Sequence, residues 1–284
     1  MTERVGFSLG RVGTVAANTF VESLRQKVYN ILIIFALVVI ASASFFSQFT
    51  FSEQLKFVKD FCLGAVSVFG TLIAIVGTAQ LLPAEMESRT IYTILAKPVR
   101  RVEFLLGKYC GSLLLIFLSL VMMSLMFGAA LLFKESRLVA DVRHDTHIST
   151  EEAATTITRI HQEARDGDLV KGVALTFVKL SLLAAITLLF STVSTSMVFN
   201  VAMGFMAFFA GHLRASVAEM MGQGRLVRWL LTIVPDLGAF NVADDIILGN
   251  AIPWSHVAQV ALYGVSYTAV VVVVAYLVFA DREM

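Results

Sequence analysis

The sequence predicts an all-α integral membrane protein: six transmembrane helices, an N-terminal interfacial helix, and a short capped helix between the second and third spans. Three observations carry this. The 284 residues are 57% hydrophobic with a mean hydropathy of +0.80. Only 15% are charged, against about 25% in soluble domains. The apolar residues fall into runs near the roughly 20 residues that a helix needs to cross a hydrocarbon core of about 30 Å. Net charge is +1, so bulk charge gives no reason to expect nucleic acid as a partner.

Before the first span, Val12, Ala16, Phe20, Leu24 and Val28 recur every fourth residue, opposite Arg11, Asn18, Glu22 and Arg25. This predicts an amphipathic helix over 1–28, with Phe20 and Leu24 on its apolar face. A basic amphipathic helix beside a span lies in the membrane interface. The competing placement is a helix packed on the rest of the chain. The spans are expected at Tyr29–Ser47, Phe61–Leu82, Tyr109–Phe133, Gly172–Val193, Ser196–Leu213 and Val257–Ala280. The fifth is the shortest, parted from the fourth only by Ser194 and Thr195. The first run begins at Tyr29 and is long enough to span, so no cleavable signal peptide is expected. Lys and Arg outnumber Asp and Glu in 1–28, 83–108 and 281–284 combined, while 48–60, 134–171 and 214–256 are acidic overall. That bias places both termini on the cytoplasmic side.

The segment 134–171 is the one polar insert. Within it, Ser149 and Glu152 are spaced as a capping box and Gly167 as a stop, which predicts a short exposed helix. It is too small for a core of its own, so the chain reads as a single membrane domain over 1–284. After the fifth span, "VPDLGAFNVADDIILGNAIPW" is semi-apolar but broken by Pro235, Gly238, Gly249 and Pro253. Short interfacial or re-entrant helices are expected there, with Trp229 and Trp254 at the interface belt. The two halves share no motif, so the inverted repeat of many secondary transporters is not expected.

A charged and punctuated stretch separates the second and third apolar runs: "LLPAEMESRTIYTILAKPVRRVEFLLGKYCG", Leu81–Gly111, holds five basic and three acidic residues. Pro83 suits a helix start, and Glu85 and Glu87 favour its positive end. Ile91, Ile94 and Leu95 make an apolar side; Lys97 suits the last turn, and Pro98 ends the helix. A self-terminated helix over Ala84–Lys97 is therefore expected, then a turn at Val99–Arg101, then a second helix from Glu103–Lys108 into the third span. So short a helix is marginal alone and needs something to pack on. Two candidates fit: a cytoplasmic partner, or the chain itself.

This run resembles the cytoplasmic signature of type-2 ABC transporter permeases, the membrane subunits of ABC exporters. The residues that carry the likeness are Glu85 and Glu87, Thr90-Ile91, Leu95, Pro98, Arg101, Phe104-Leu105, Gly107 and Lys108. The N-terminal helix is similar to that family's elbow, "VPDLGAFNVADDIILG" to its Pro-to-Phe-Asn segment, and "FADREM" to its short charged ending. The insert 134–171 lies outside the likeness and is longer and more acidic than a minimal connection. The resemblance implies a permease at the cytoplasmic (inner) membrane. It would act as a dimer, homodimeric or with a close homologue, with two cytoplasmic ABC ATPase subunits. Residues 83–108 would form the coupling segment, with Glu85, Glu87, Arg89, Thr90, Leu95, Lys97, Pro98 and Arg101 in ATPase coupling. The chain has no G-x-x-x-x-G-K-[ST], so no cofactor is expected in it; ATP and Mg would be bound by the partner, and the chain is not expected to be an enzyme. A membrane scaffold that docks an ATPase without moving cargo uses the same features. An intramembrane enzyme is disfavoured, because no acid/base pair or ligand cluster lies inside the spans.

Lys179 is the one charge well inside a predicted span, and a charge there is functional by default. Snorkelling, a partner on a neighbouring span, or a pathway contact each accounts for it. His144 and His147, near Asp141 and Asp145, read as polar loop residues rather than metal ligands, and His212 as an interfacial histidine. Ser191, Thr192, Ser194, Thr195 and Ser196 suit a tight membrane turn by satisfying backbone groups. Cys62 and Cys110 have no metal or redox spacing.

Overall fold

A computed structural model describes residues 7–49, 53–83, 85, 100–144, 149–221 and 234–281. The described residues are all-helical. In chain order the helices are α1 (Leu9–Leu24), α2 (Lys27–Phe46), α3 (Gln54–Ala79), α4 (Arg101–His144), α5 (Thr150–Ala164), α6 (Asp168–Val193), α7 (Met197–His212), α8 (Arg214–Met221), α9 (Ala243–Leu248) and α10 (Trp254–Asp281). Short 3-10 turns stand at Ser47–Phe49 and Gly238–Phe240. Five of the helical stretches are long and apolar enough to cross a membrane. The architecture is that of a multi-pass helical membrane protein.

α3 and α6 form the centre. α3 packs against α2, α4, α6, α7 and α9, and α6 against α3, α4, α7, α9 and α10. Their contact is close where Gly70 of α3 leaves room for Leu180. α2 and α10 stand at the periphery. They bury one stripe each, Ile33, Ala36, Ile40 and Ala43 on α2 and Val260, Gly264, Val271 and Ala275 on α10. Their outer faces expose Ile31, Ile34, Phe35, Val38, Leu262, Val265, Val270 and Val273. Outward apolar faces of this extent require an apolar surrounding.

Three helices run past the stretches that hydropathy marks. α3 starts at Gln54 rather than near Phe61, because the charges of its first turns are paired: Lys59 lies 3.2 Å from Asp166 and Lys56 2.7 Å from Glu53. α4 has 44 residues, or about 66 Å at 1.5 Å per residue. It replaces the predicted loop over 134–144, since Lys134 and Glu135 are buried on the helix. Arg101, expected in a turn, is its first residue. α6 likewise begins at Asp168 instead of Gly172.

α5 folds back along α4 with the expected capping box. The Ser149 hydroxyl accepts from the Glu152 N–H at 3.3 Å, and the Glu152 carboxylate accepts from the Ser149 N–H at 3.2 Å. Glu135 of α4 holds the far end of α5 through His161 and through Arg165 at 3.1 Å.

The fifth predicted span is a helix of only 16 residues, α7, about 24 Å long. Its far end meets the broken segment, where Leu237 donates to the Gly211 carbonyl at 3.1 Å. The chain then climbs along α6. Phe240 packs on Gly264 of α10, Ile246 on Gly172, and the Ile252 N–H donates to Asp168 at 2.8 Å. Short helices occur in this segment as expected. Trp229 lies outside the described residues, and Trp254 is exposed with Lys171 over its ring.

Candidate functional site

The α1 end of the bundle gathers α1, the end of α3, the start of α4 and the end of α10. α4 begins here with Gly107 and Gly111, four residues apart, and α1 lies directly across them. A Cβ at Gly111 would stand 2.8 Å from the Ala16 carbonyl oxygen and 2.6 Å from Thr19 Cβ; one at Gly107 would stand 2.6 Å from Val15. Small residues at this spacing let two helix backbones approach. The buried stripe of α1 is therefore Ala16, Thr19 and Ser23, rather than the expected line of larger apolar residues. Phe20 and Leu24 are half-buried flanks packed on the core, and Val28 is exposed.

Buried charges fix the helices around that contact. Glu103, fully buried, accepts from the Ser8 N–H at 2.7 Å, from Arg11 at 3.0 Å and from the Arg100 N–H at 3.0 Å. Lys108, on the next turn, is 2% exposed. Its ammonium lies 2.5 Å from the Glu85 carboxylate and 3.7 Å from Glu22 of α1, and 5.9 Å from the centre of the Phe104 ring. Lys108 thus joins three parts of the chain: α1, the segment that follows α3, and α4. Burial raises the Glu85 carboxyl above the ordinary carboxylate range; Lys108 opposes that rise and Glu22 adds to it. Arg101 donates to the Ala280 carbonyl at 2.6 Å, and Phe104 stacks on Phe279. These contacts tie α4 to the end of α10.

Of the residues assigned to coupling, Glu85 is therefore a buried anchor and Arg101 a half-buried one. Glu87, Arg89, Thr90, Leu95, Lys97 and Pro98 lie outside the described residues. The residues not singled out for this role were Glu103 and Lys108, which sequence places at the start of a helix but does not bury. The glycine spacing of "GKYCG" was the available signal for the close approach of α1.

The serine- and threonine-rich junction between α6 and α7 closes the same end. Ser191 donates to the Ala79 carbonyl at 3.3 Å, and Asn200 donates to the carbonyls of Ala79 and Ser194, each at 3.2 Å. The Ser196 hydroxyl caps α7 by accepting from the Phe199 N–H at 3.4 Å. The cluster satisfies backbone groups, as expected.

Lys179 is 5% exposed and donates to Ser67 Oγ of α3 at 2.8 Å. It has a partner on a neighbouring helix and does not snorkel. His144 and His212 are exposed, while Asp145 and His147 lie outside the described residues. Two larger cavities lie among the described residues, each of about 460 Å³. One is apolar, among Ile186, Phe190, Met203, Pro235, Tyr267 and Val271. The other is polar and lies at the far end, among Lys56, Lys59, Arg159, Glu163, Asp166 and Asp168. No protein-family model matches the chain, and no curated protein matches it.

Proposed function

We propose that this chain is the membrane-spanning permease subunit of an ATP-driven exporter, energised by a separate cytoplasmic ATPase. The observation that carries the reading is the anchoring of the charged segment at both of its ends. Glu85 is fastened to Lys108 at 2.5 Å and Arg101 to the Ala280 carbonyl at 2.6 Å, with residues 86–99 between. A segment that merely linked two spans would need neither anchor. A push on it reaches α1 and α4 through Lys108, and α10 through Arg101.

On this reading the α1 end faces the cytoplasm, which agrees with the excess of Lys and Arg in 1–28 and 83–108. Residues 83–108 are the coupling segment, with Glu87, Arg89, Thr90, Leu95 and Lys97 toward the ATPase and Pro98 setting the turn into α4. The sixth crossing is α7 completed by the broken segment 234–252; non-helical backbone at that depth is tolerated where it packs on protein. The subunit works as a dimer in the cytoplasmic membrane, and ATP and Mg belong to the partner ATPase.

The test is affinity purification of the tagged chain from its native host in detergent, followed by ATPase assay and reconstituted transport. A Walker-motif ATPase is expected to co-elute, and Glu85→Ala/Glu87→Ala or Pro98→Gly is expected to lose it or to uncouple its activity. Elution of the folded wild-type chain with no ATPase overturns the proposal. Co-elution without transport would mark a scaffold instead.

A further inference from the structure

We infer that Lys179 and the cavity beside it form a binding site for a small monovalent anion of halide size. Lys179 lies eleven residues into α6, about 16 Å from that helix's start, so its ammonium is deep among the spanning helices. It is 5% exposed, and its one hydrogen bond among the described residues goes to Ser67 Oγ at 2.8 Å. No carboxylate of the described residues forms an ion pair with it. Lys108 has Glu85 and Glu22, and Lys59 has Asp166. Lys134, equally buried, has no ion pair among the described residues but feels the charge of Asp141, and Lys179 has no such carboxylate near it. A buried ammonium with one neutral acceptor is costly unless a counter-charge joins it.

The space for such a charge is present. A cavity of about 20 Å³ abuts Lys179, walled by Ser67 of α3, Thr176 of α6, and Asn241 and Val242 of the broken segment. One water-sized particle needs roughly 10–15 Å³, so a space of about 20 Å³ suits one small monatomic anion. The donors also fit an anion. The ammonium keeps N–H groups beyond the one given to Ser67, and Ser67, accepting that bond, can turn its own O–H inward. Asn241 lines the cavity and is exposed. It also marks the break between the 3-10 turn and α9, and interrupted backbone is where ion sites form in helical membrane proteins.

The test is thermal unfolding of the purified protein in detergent, in sodium chloride or bromide against sodium gluconate at equal ionic strength. Chloride and bromide are expected to raise Tm saturably over gluconate, and Lys179→Met is expected to abolish the difference. Equal Tm in all three salts overturns the inference, as does a halide effect that persists unchanged in Lys179→Met. Should Lys179→Met not fold, Ser67→Ala keeps the cation and removes its hydroxyl. The half-saturating chloride concentration must then rise several-fold, and an unchanged value overturns the site.

Discussion

Replacing Lys108 by Met removes a charge at nearly constant side-chain length and leaves two carboxylates behind. They differ in what they can do next. The Glu22 side chain is 47% exposed and can turn to water, but that of Glu85 is 9% exposed and cannot. Breaking a buried pair by removing one partner costs about 3–5 kcal/mol. For a chain of this size 1 kcal/mol moves Tm by about 2–4 °C, so Lys108→Met should lower Tm by roughly 6–20 °C. The Glu85→Gln/Lys108→Met double variant should recover most of that loss, because it removes the buried carboxylate's charge together with the ammonium that balances it. The assay is fluorescence-detected thermal unfolding in detergent, with all variants at one pH and salt concentration. A Tm within about 2 °C of wild type for Lys108→Met, or a double variant no more stable than the single, would refute the buried node.

Four further outcomes follow, from the same end of the bundle, from the middle of α4 and from α5. Because burial holds the Glu85 proton more tightly when the protein is folded, stability is favoured below the ordinary carboxylate range. It declines as pH rises from that range through the raised value; Glu85→Gln should remove this part of the Tm-versus-pH slope and leave the rest. Gly111→Ala, whose methyl would meet the Ala16 carbonyl, should cost about 1–3 kcal/mol by overpacking and make the α1 segment more accessible to protease. Gly128→Ala, with open space around it, should be neutral or stabilising by up to about 1 kcal/mol. Ser149→Ala should cost about 1 kcal/mol, seen as faster hydrogen exchange in 150–164 with the Tm of the bundle unchanged.

Much of the fold could be read directly, because spanning helices announce themselves by composition. Each predicted run overlaps a helix, and the Ser149/Glu152 box marked the start of α5. What hydropathy misses is a helix that continues through paired charges. Lys59, Glu135 and Asp168 look like loop residues until Asp166, His161, Arg165 and Lys171 are brought beside them. The same limit hid the site. Lys108 beside an apolar run reads as a solvated, interface-marking lysine, and only its neighbours in space, 23 and 86 residues earlier in the chain, make it a buried junction. The face of α1 was misjudged for a related reason. Periodicity ranks Phe20 and Leu24 above Thr19 and Ser23 for burial, but a helix crossing two glycines wants its smallest residues at the contact.

The length of α4 has a mechanical consequence. One unbroken rod of 44 residues joins the Lys108 junction to the Glu135 cluster that carries α5. Over about 66 Å, a tilt of roughly 5° about the α1 end sweeps the opposite tip through nearly 6 Å, about one helical pitch. A stiff lever of that kind needs no chain of side-chain rearrangements between its ends. Whatever displaces its foot is felt, amplified, at the polar cleft on the opposite side.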